Sequence, residues 1–282
     1  MSELPTEKLR IAARITGREY GERRAHGTGE SIEFHDFREY QPGDEPRAID
    51  WRTYARTRRL YTRLYRSERT VHAHFVIDTS ASMDLHGKAD RARDIAELLA
   101  RVALAEMSVQ FHTFSGTHSP VATRLAEFPA LATALAAEVE RPPEPTLAPS
   151  VALLAFARKL AARRGRALVV IISDFFDHEA LKPAFMEMRL AGAEIIALQL
   201  LSEAEWTPAL SHAELVDVET HDRLRVTDAE ARQYEAEVRR FVERRRREVQ
   251  AAGGRHVLLP IGSPQPRALL LALLRAGIVT LQ

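Results

Sequence analysis

The sequence predicts an α/β fold, a doubly wound, mainly parallel sheet preceded by a β-containing N-terminal subdomain. Three observations lead there. From residue 72 onward, short apolar runs of strand length alternate with amphipathic helical stretches, an order that right-handed crossovers turn into a parallel sheet. Two of those runs end alike: Phe75-Val76-Ile77 closes on Asp78, and RALVVIISD at 166–174 closes on Ser173-Asp174. Before them, residues 33–69 hold more than a third of the chain's aromatics, interleaved with arginine, in a pattern found nowhere else in the sequence.

Taken in order, residues 1–20 read as a short helix in which Leu9, Ile11, Ala12 and Ile15 form a partial apolar stripe. Residues 21–31 read as a glycine-bearing loop. Within the β-containing subdomain, 21–70, Pro42-Gly43-Asp44 is a turn signal and 60–65 alternates as a half-exposed strand does. Arg47, Arg52, Arg56, Arg58, Arg59, Arg63, Arg66 and Arg69 make its second half basic, while Asp36, Asp44, Asp50 and Glu68 are interspersed as partners. Trp51 is expected to be buried as this subdomain packs. The α/β domain, 71–282, opens with the strand that ends at Asp78. A helix is expected over 88–106, with Ile95, Leu98, Leu99 and Val102 on one face. A strand over 108–114, a short edge strand over 121–125 and an alanine-rich helix over 126–139 follow. A proline-rich loop, 141–149, carries Thr146. Then come a helix over 150–164, the Asp174 strand, a helix over 178–190 and a strand over 194–201. Residues 213–227 read as a hairpin. Thr227-Asp228-Ala229-Glu230 matches a capping box that opens a helix running to about residue 252. A last strand, 255–261, and a last helix, 267–276, complete the pattern.

Composition narrows the classes. The chain has 282 residues, 45% hydrophobic and 28% charged, as a globular protein does, and a net charge of only +1 that points to no polyanionic partner. It has no cysteine, which excludes disulfides, thiolate metal sites and a cysteine nucleophile. No apolar h-region opens the sequence and no window approaches a membrane span, so cytoplasmic residence is the expectation.

The chemistry lies at 78–82. Asp78, Ser80 and Ser82 set one carboxylate and two hydroxyls on a few residues of tight loop, all hard oxygen donors of the kind Mg²⁺ or Mn²⁺ prefers. Asp, Ser and Thr after a strand are also ordinary turn and cap residues. The second strand tips the balance: strand carboxyl ends share one edge of an open α/β sheet, so Asp78 and Asp174 are expected on the same rim. His72, His74 and His112 fall in or beside strands and read as core or surface residues.

With these residues in view, DTSAS at 78–82, a later-loop threonine and a strand-end aspartate resemble the metal-ion-dependent adhesion site of von Willebrand factor type A domains. EFHDFREYQPGDEPRAIDWRTYAR at 33–56 resembles the signature of the bacterial family called domain of unknown function 58 (DUF 58). The matching residues are Glu33, Phe34, Arg38, Tyr40, Gly43, Asp44, Arg47, Ile49, Asp50, Trp51 and Ala55. The resemblance implies a Rossmann-like sheet with a divalent cation, Mg²⁺ or else Mn²⁺ or Ca²⁺, at its rim. It carries the metal role to Asp78, Ser80, Ser82, Asp174 and Thr146. Pro143-Glu144-Pro145 stand before Thr146, where type A domains often present glycines, so Thr113 and Thr117 are alternatives. The resemblance also implies a short branch without membrane anchors and an association with MoxR-type AAA+ ATPases as adaptor.

The function expected is a non-enzymatic interaction module whose metal binds a partner's acidic residue. A phosphatase or other hydrolase is the second class, since a strand-end Asp also suits aspartyl phosphotransfer. Against it, Ser80 stands where a second carboxylate is usual, and no G-x-S-x-G element is present. Nucleic-acid binding through the basic, aromatic 47–69 segment is the third.

Overall fold

The computed structural model describes residues 9–13, 18–22, 32–41, 49–140, 147–163, 165–206, 214–216, 223–225, 228–261 and 266–281. The chain divides into two units, Thr16–Thr70 and a larger one made of Met1–Ile15 and Val71–Gln282.

The larger unit begins with strand β1 (Leu9–Ile11). The smaller unit holds β2 (Arg18–Glu22), β3 (Ile32–Glu39), helix α1 (Trp51–Thr57) and β4 (Tyr61–Thr70), its strands forming an antiparallel sheet in the order β2-β4-β3. The larger unit resumes with β5 (His72–Ile77), α2 (Lys88–Ala103), β6 (Ser108–Thr113) and α3 (Phe128–Val139). Next come α4 (Pro149–Ala161), β7 (Ala167–Ser173), α5 (Lys182–Leu190), β8 (Ala193–Ser202) and the short α6 (Glu203–Trp206). The hairpin strands β9 (Glu214–Val216) and β10 (Arg223–Arg225) precede α7 (Asp228–Ala251), β11 (Arg255–Ile261), α8 (Pro266–Arg275) and β12 (Val279–Leu281).

Five strands form one sheet in the order β11-β8-β7-β5-β6, and every neighbouring pair in it is parallel. The chain lays down β5 and β6, crosses back over β5 to place β7 on its other side, then extends outward through β8 and β11. The order therefore reverses between β5 and β7, and the crevice beyond their carboxyl ends is where such sheets bind ligands. The alternation along β7 shows how the two layers are filled. Leu168, Val170 and Ile172 face a core built with α2, α3 and α8, while Ala167, Val169 and Ile171 face one built with α4, α5 and α7. A strand buried on both sides needs a continuous apolar run, and this is why it was readable. Each Leu or Ile so buried contributes roughly 1.5–3 kcal/mol.

Several expectations need correction. Leu9-Arg10-Ile11, expected within a helix, is a strand, buried, exposed and buried in turn, paired antiparallel with β12. The expected edge strand over 121–125 is a single antiparallel bridge between Val109 and Ala122, ended by a 3₁₀ turn at Leu125–Glu127. Trp51 is 58% exposed: it opens α1, a seven-residue helix with no buried residue, and its indole meets the Tyr54 ring edge-on. Thr146, Gly43, Asp44, Arg47 and the capping-box Thr227 lie outside the described residues.

Candidate functional site

Asp78 follows the last residue of β5, and its N–H donates to the Ile172 carbonyl at 2.9 Å, so the ladder with β7 carries it onto the rim. Its carboxylate is buried. Oδ1 accepts the Ser80 N–H at 2.8 Å, and Oδ2 accepts the Ser173 hydroxyl at 2.5 Å. Ser173 Oγ in turn accepts the Phe175 N–H at 2.7 Å, so the ends of β5 and β7 are tied through one hydroxyl.

Ser80 precedes a 3₁₀ turn, Ala81–Gly87, yet its side chain makes no capping bond. Its Oγ lies 3.0 Å from Ser82 Oγ instead, and both serines are buried. That separation is a hydrogen bond between hydroxyls and is also compatible with a small cation. Two oxygens bound at right angles, each about 2.0–2.1 Å from Mg²⁺, stand about 3 Å apart.

Asp174 is fully buried at the end of β7. Its Oδ1 accepts the Phe176 N–H at 3.1 Å, and its backbone carbonyl accepts Gln199 Nε2 at 2.9 Å. Phe175, next in the chain, holds a left-handed φ of 59°. Such a conformation costs a non-glycine residue free energy and persists only where its surroundings fix it. Arg245 of α7 supplies much of that. Buried to 1% exposure, it donates to the carbonyls of Phe175 at 3.2 Å, Glu179 at 3.0 Å and Asp177, and pairs with Glu248 at 2.9 Å.

Two partners were not anticipated. Lys88, at the first turn of α2, is fully buried with Nζ 2.7 Å from Asp174 Oδ2 and also bonded to Glu205 Oε1 of α6. A lysine at a helix N-terminus opposes the helix dipole, and that was the available signal. Burial works against the ammonium, but the carboxylates of Asp174 and Glu205 outweigh it and hold the Lys88 pKa above its ordinary value. Asp78 is pushed up to about 7, first by burial and then by the Asp174 charge, against the pull of its hydrogen bonds from Ser173 and Ser80. Asp174 and Glu205 thus share one ammonium, while Asp78 beside them is held by Ser80 and Ser173. The buried Thr79 hydroxyl finds no partner among the described residues, an orphan of the kind an ion or water satisfies. The donor set of two carboxylates and two hydroxyls fits a hard cation. Among the described residues, however, no three His, Asp or Glu side chains are grouped for a metal. Thr113 and Thr117 bond to each other at 2.6 Å, and Thr117 donates to Glu138; among the described residues neither bonds to Asp78 or Asp174.

The family described as "Protein of unknown function DUF58" matches residues 36–251. The chain belongs to the DUF58 family. Uncharacterized protein Rv1480 of Mycobacterium tuberculosis and Uncharacterized protein Mb1516 of Mycobacterium bovis are each 32% identical to it over 93 residues. That is 33% of this chain and 29% of each relative, so the match spans under a third of those relatives. Among solved structures it is similar to BatB of Bacteroides thetaiotaomicron, with 14% identity, a TM-score of 0.40 and coverage of 73% of this chain and 98% of that one. An aerotolerance-related membrane protein of Bacteroides fragilis gives 15%, 0.41, 73% and 99%. Of the signature residues in this DUF58 chain, Glu33 and Arg38 lie on β3, and Asp50 caps α1, accepting from the N–H groups of Arg52 at 3.0 Å and Thr53 at 3.4 Å. Among the described residues no helix is long and apolar enough to cross a membrane.

Proposed function

We propose that the larger unit is a von Willebrand factor type A-like domain and that the protein is a non-enzymatic interaction module. The single observation behind this reading is the convergence of Asp78, Ser80, Ser82 and Asp174 where the strand order reverses, with the two hydroxyls turned to each other rather than to a helix end. These four residues would hold Mg²⁺, with Mn²⁺ or Ca²⁺ as substitutes and Thr146 as a further ligand. Bound there, the cation supplies a positive charge for a partner's Asp or Glu to meet.

The chain's own groups prepare this. Ser173 fixes the Asp78 carboxylate, and Lys88 fixes Asp174 while cancelling only part of the negative charge. Phe176, 39% exposed and stacked on Phe241 at 5.0 Å, offers an apolar shoulder beside Asp174. A MoxR-type AAA+ ATPase is the partner the family resemblance suggests, and the cytoplasm the place of meeting.

Calorimetry tests the reading. Mg²⁺ should bind the parent protein with one site and fail to bind Asp78→Ala. The purified ATPase should bind in Mg²⁺ and lose a few kcal/mol, roughly a hundredfold in affinity, in chelator. Equal ATPase affinity in both conditions removes the metal-bridged contact, and no binding in either removes the partner. Phosphate-ester turnover should stay at the metal-free background; turnover that depends on Asp78 would make the protein an enzyme.

A further inference from the structure

The sheet is polar at one corner where it should be apolar. On the face covered by α4, β7 contributes Ala167, Val169 and Ile171, all buried and apolar. The same face of β5 and β6 reads His72, His74, Val76 and Ser108, Gln110, His112, and the parallel register sets these opposite one another in that order. Five of these six positions are polar. His72 is exposed and His112 half-buried, but His74, Ser108 and Gln110 are buried. Burying polar groups is unfavourable unless they are bonded, and here they form a network of bonded pairs and ring contacts. His74 Nδ1 lies 3.0 Å from His112 Nε2, and His72 Nδ1 meets Ser108 Oγ. Gln110 donates to the Ser119 carbonyl at 2.9 Å and accepts from Arg163 at 3.3 Å.

The network borders a pocket of about 430 Å³ between β6, the turn after it and α4. Val76, Phe114, Ala152 and Phe156 give it an apolar floor, and the His112 ring packs on Phe156 with centroids 4.9 Å apart. His112, His118, Thr113 and Thr117 add hydrogen-bonding groups to the wall. Lys159 on α4 and Arg163 just after its end, both exposed, complete the lining. Among the described residues no Asp or Glu lines it, and none makes an ion pair with Lys159 or Arg163. Glu138 accepts from Thr117, a residue of the wall, at 2.7 Å. A volume of this size suits a small molecule.

We propose that this pocket binds a small organic anion, a carboxylate or phosphate monoester carrying an apolar body. The apolar part lies on Phe114 and Phe156, and the charged end meets Lys159 and Arg163, with the imidazole and hydroxyl groups of the wall as donors. The two cations argue against a metal at these imidazoles, since they help repel a proton from one of them: His112 is held down to about 3 by burial first, then by His74, His118, Arg163 and Lys159.

Histidine-labelled protein observed by NMR provides the test, with phenyl phosphate and benzoate as probes in separate titrations. We expect saturable shifts of the His112 and His118 rings with at least one probe, at a Kd of about 1 mM or tighter. Whichever binds more tightly assigns the charged end as phosphate or carboxylate. Lys159→Ala changes an exposed residue, and Arg163→Gln removes the charge while keeping a donor for Gln110; the unshifted His256 signal monitors the fold, and each should weaken binding roughly tenfold. No saturable shift with either probe overturns the proposal. So does binding that survives the double variant, and so does saturable binding of zinc(II) at these rings with no response to either anion.

Discussion

The rim beyond β5 and β7 and the histidine corner beneath α4 are both polar islands on an apolar sheet, yet they meet burial in opposite ways. The rim gathers acids: Asp78 is pushed up to about 7 by burial and by Asp174, and one lysine serves Asp174 and Glu205. The corner gathers bases: His74 is held down to about 4 by burial first, then by His72 and Arg163, and His112 lower still. The difference teaches what each island lacks. On the readings proposed above, a cation would complete the first and an anion the second: the acids of the rim are buried, whereas the charges of the corner, Lys159 and Arg163, stand exposed at its edge.

The largest test of this contrast is Asp174→Ala. It leaves Lys88 buried with Glu205 alone and should destabilise the protein by about 3–5 kcal/mol in urea unfolding. A loss under about 1 kcal/mol would mean that the rim does not depend on its lysine.

The corner is tested by pH. His74 and His112 both have a lower pKa folded than unfolded, so the unfolded chain takes up protons that the folded chain refuses. Their stabilising contribution is present above about pH 6.5 and is lost as pH falls through about 4 and about 3. Unfolding free energies should therefore fall by on the order of 2–3 kcal/mol for each of the two rings between neutral pH and pH 4. In the His74→Gln/His112→Gln variant that slope should flatten; an unchanged slope would place the acid sensitivity elsewhere.

The smallest effect has the opposite sign. In chelator at neutral pH, Asp78→Asn removes a repelled charge and should stabilise the protein by about 1 kcal/mol while abolishing Mg²⁺ binding. Destabilisation in chelator would show that the rim's acids are there for structure alone.

Residues 75–78 and 166–174 were legible because a strand covered on both faces must be apolar throughout, and its end is marked where polarity resumes. The acids of the rim followed from that. Its cation did not: the Lys88–Glu205 pair joins residues 117 positions apart, and neither has a sequence signature stronger than a misplaced charge at a helix start. Leu9 and Ile11 fit a helical stripe as well as a strand, and only pairing with Val279–Leu281, near the far end of the sequence, decides between them. Helix α1 escaped notice because it buries nothing, so no apolar stripe announces it. The histidines of the corner were visible singly. Their meeting was not, since it depends on the register of β5 against β6.

Arg245 adds an order in time. The loop that carries Asp174 is held by a side chain 70 residues later in the chain, on α7. During synthesis the strands, the acids and Lys88 all emerge before the residue that clamps the loop behind Asp174. A nascent chain halted before α7 thus has every donor of the rim but not the brace that keeps Phe175 in its left-handed turn. The loop behind Asp174 is thus finished only once the polypeptide has been made past Arg245, and a half-made copy lacks that brace.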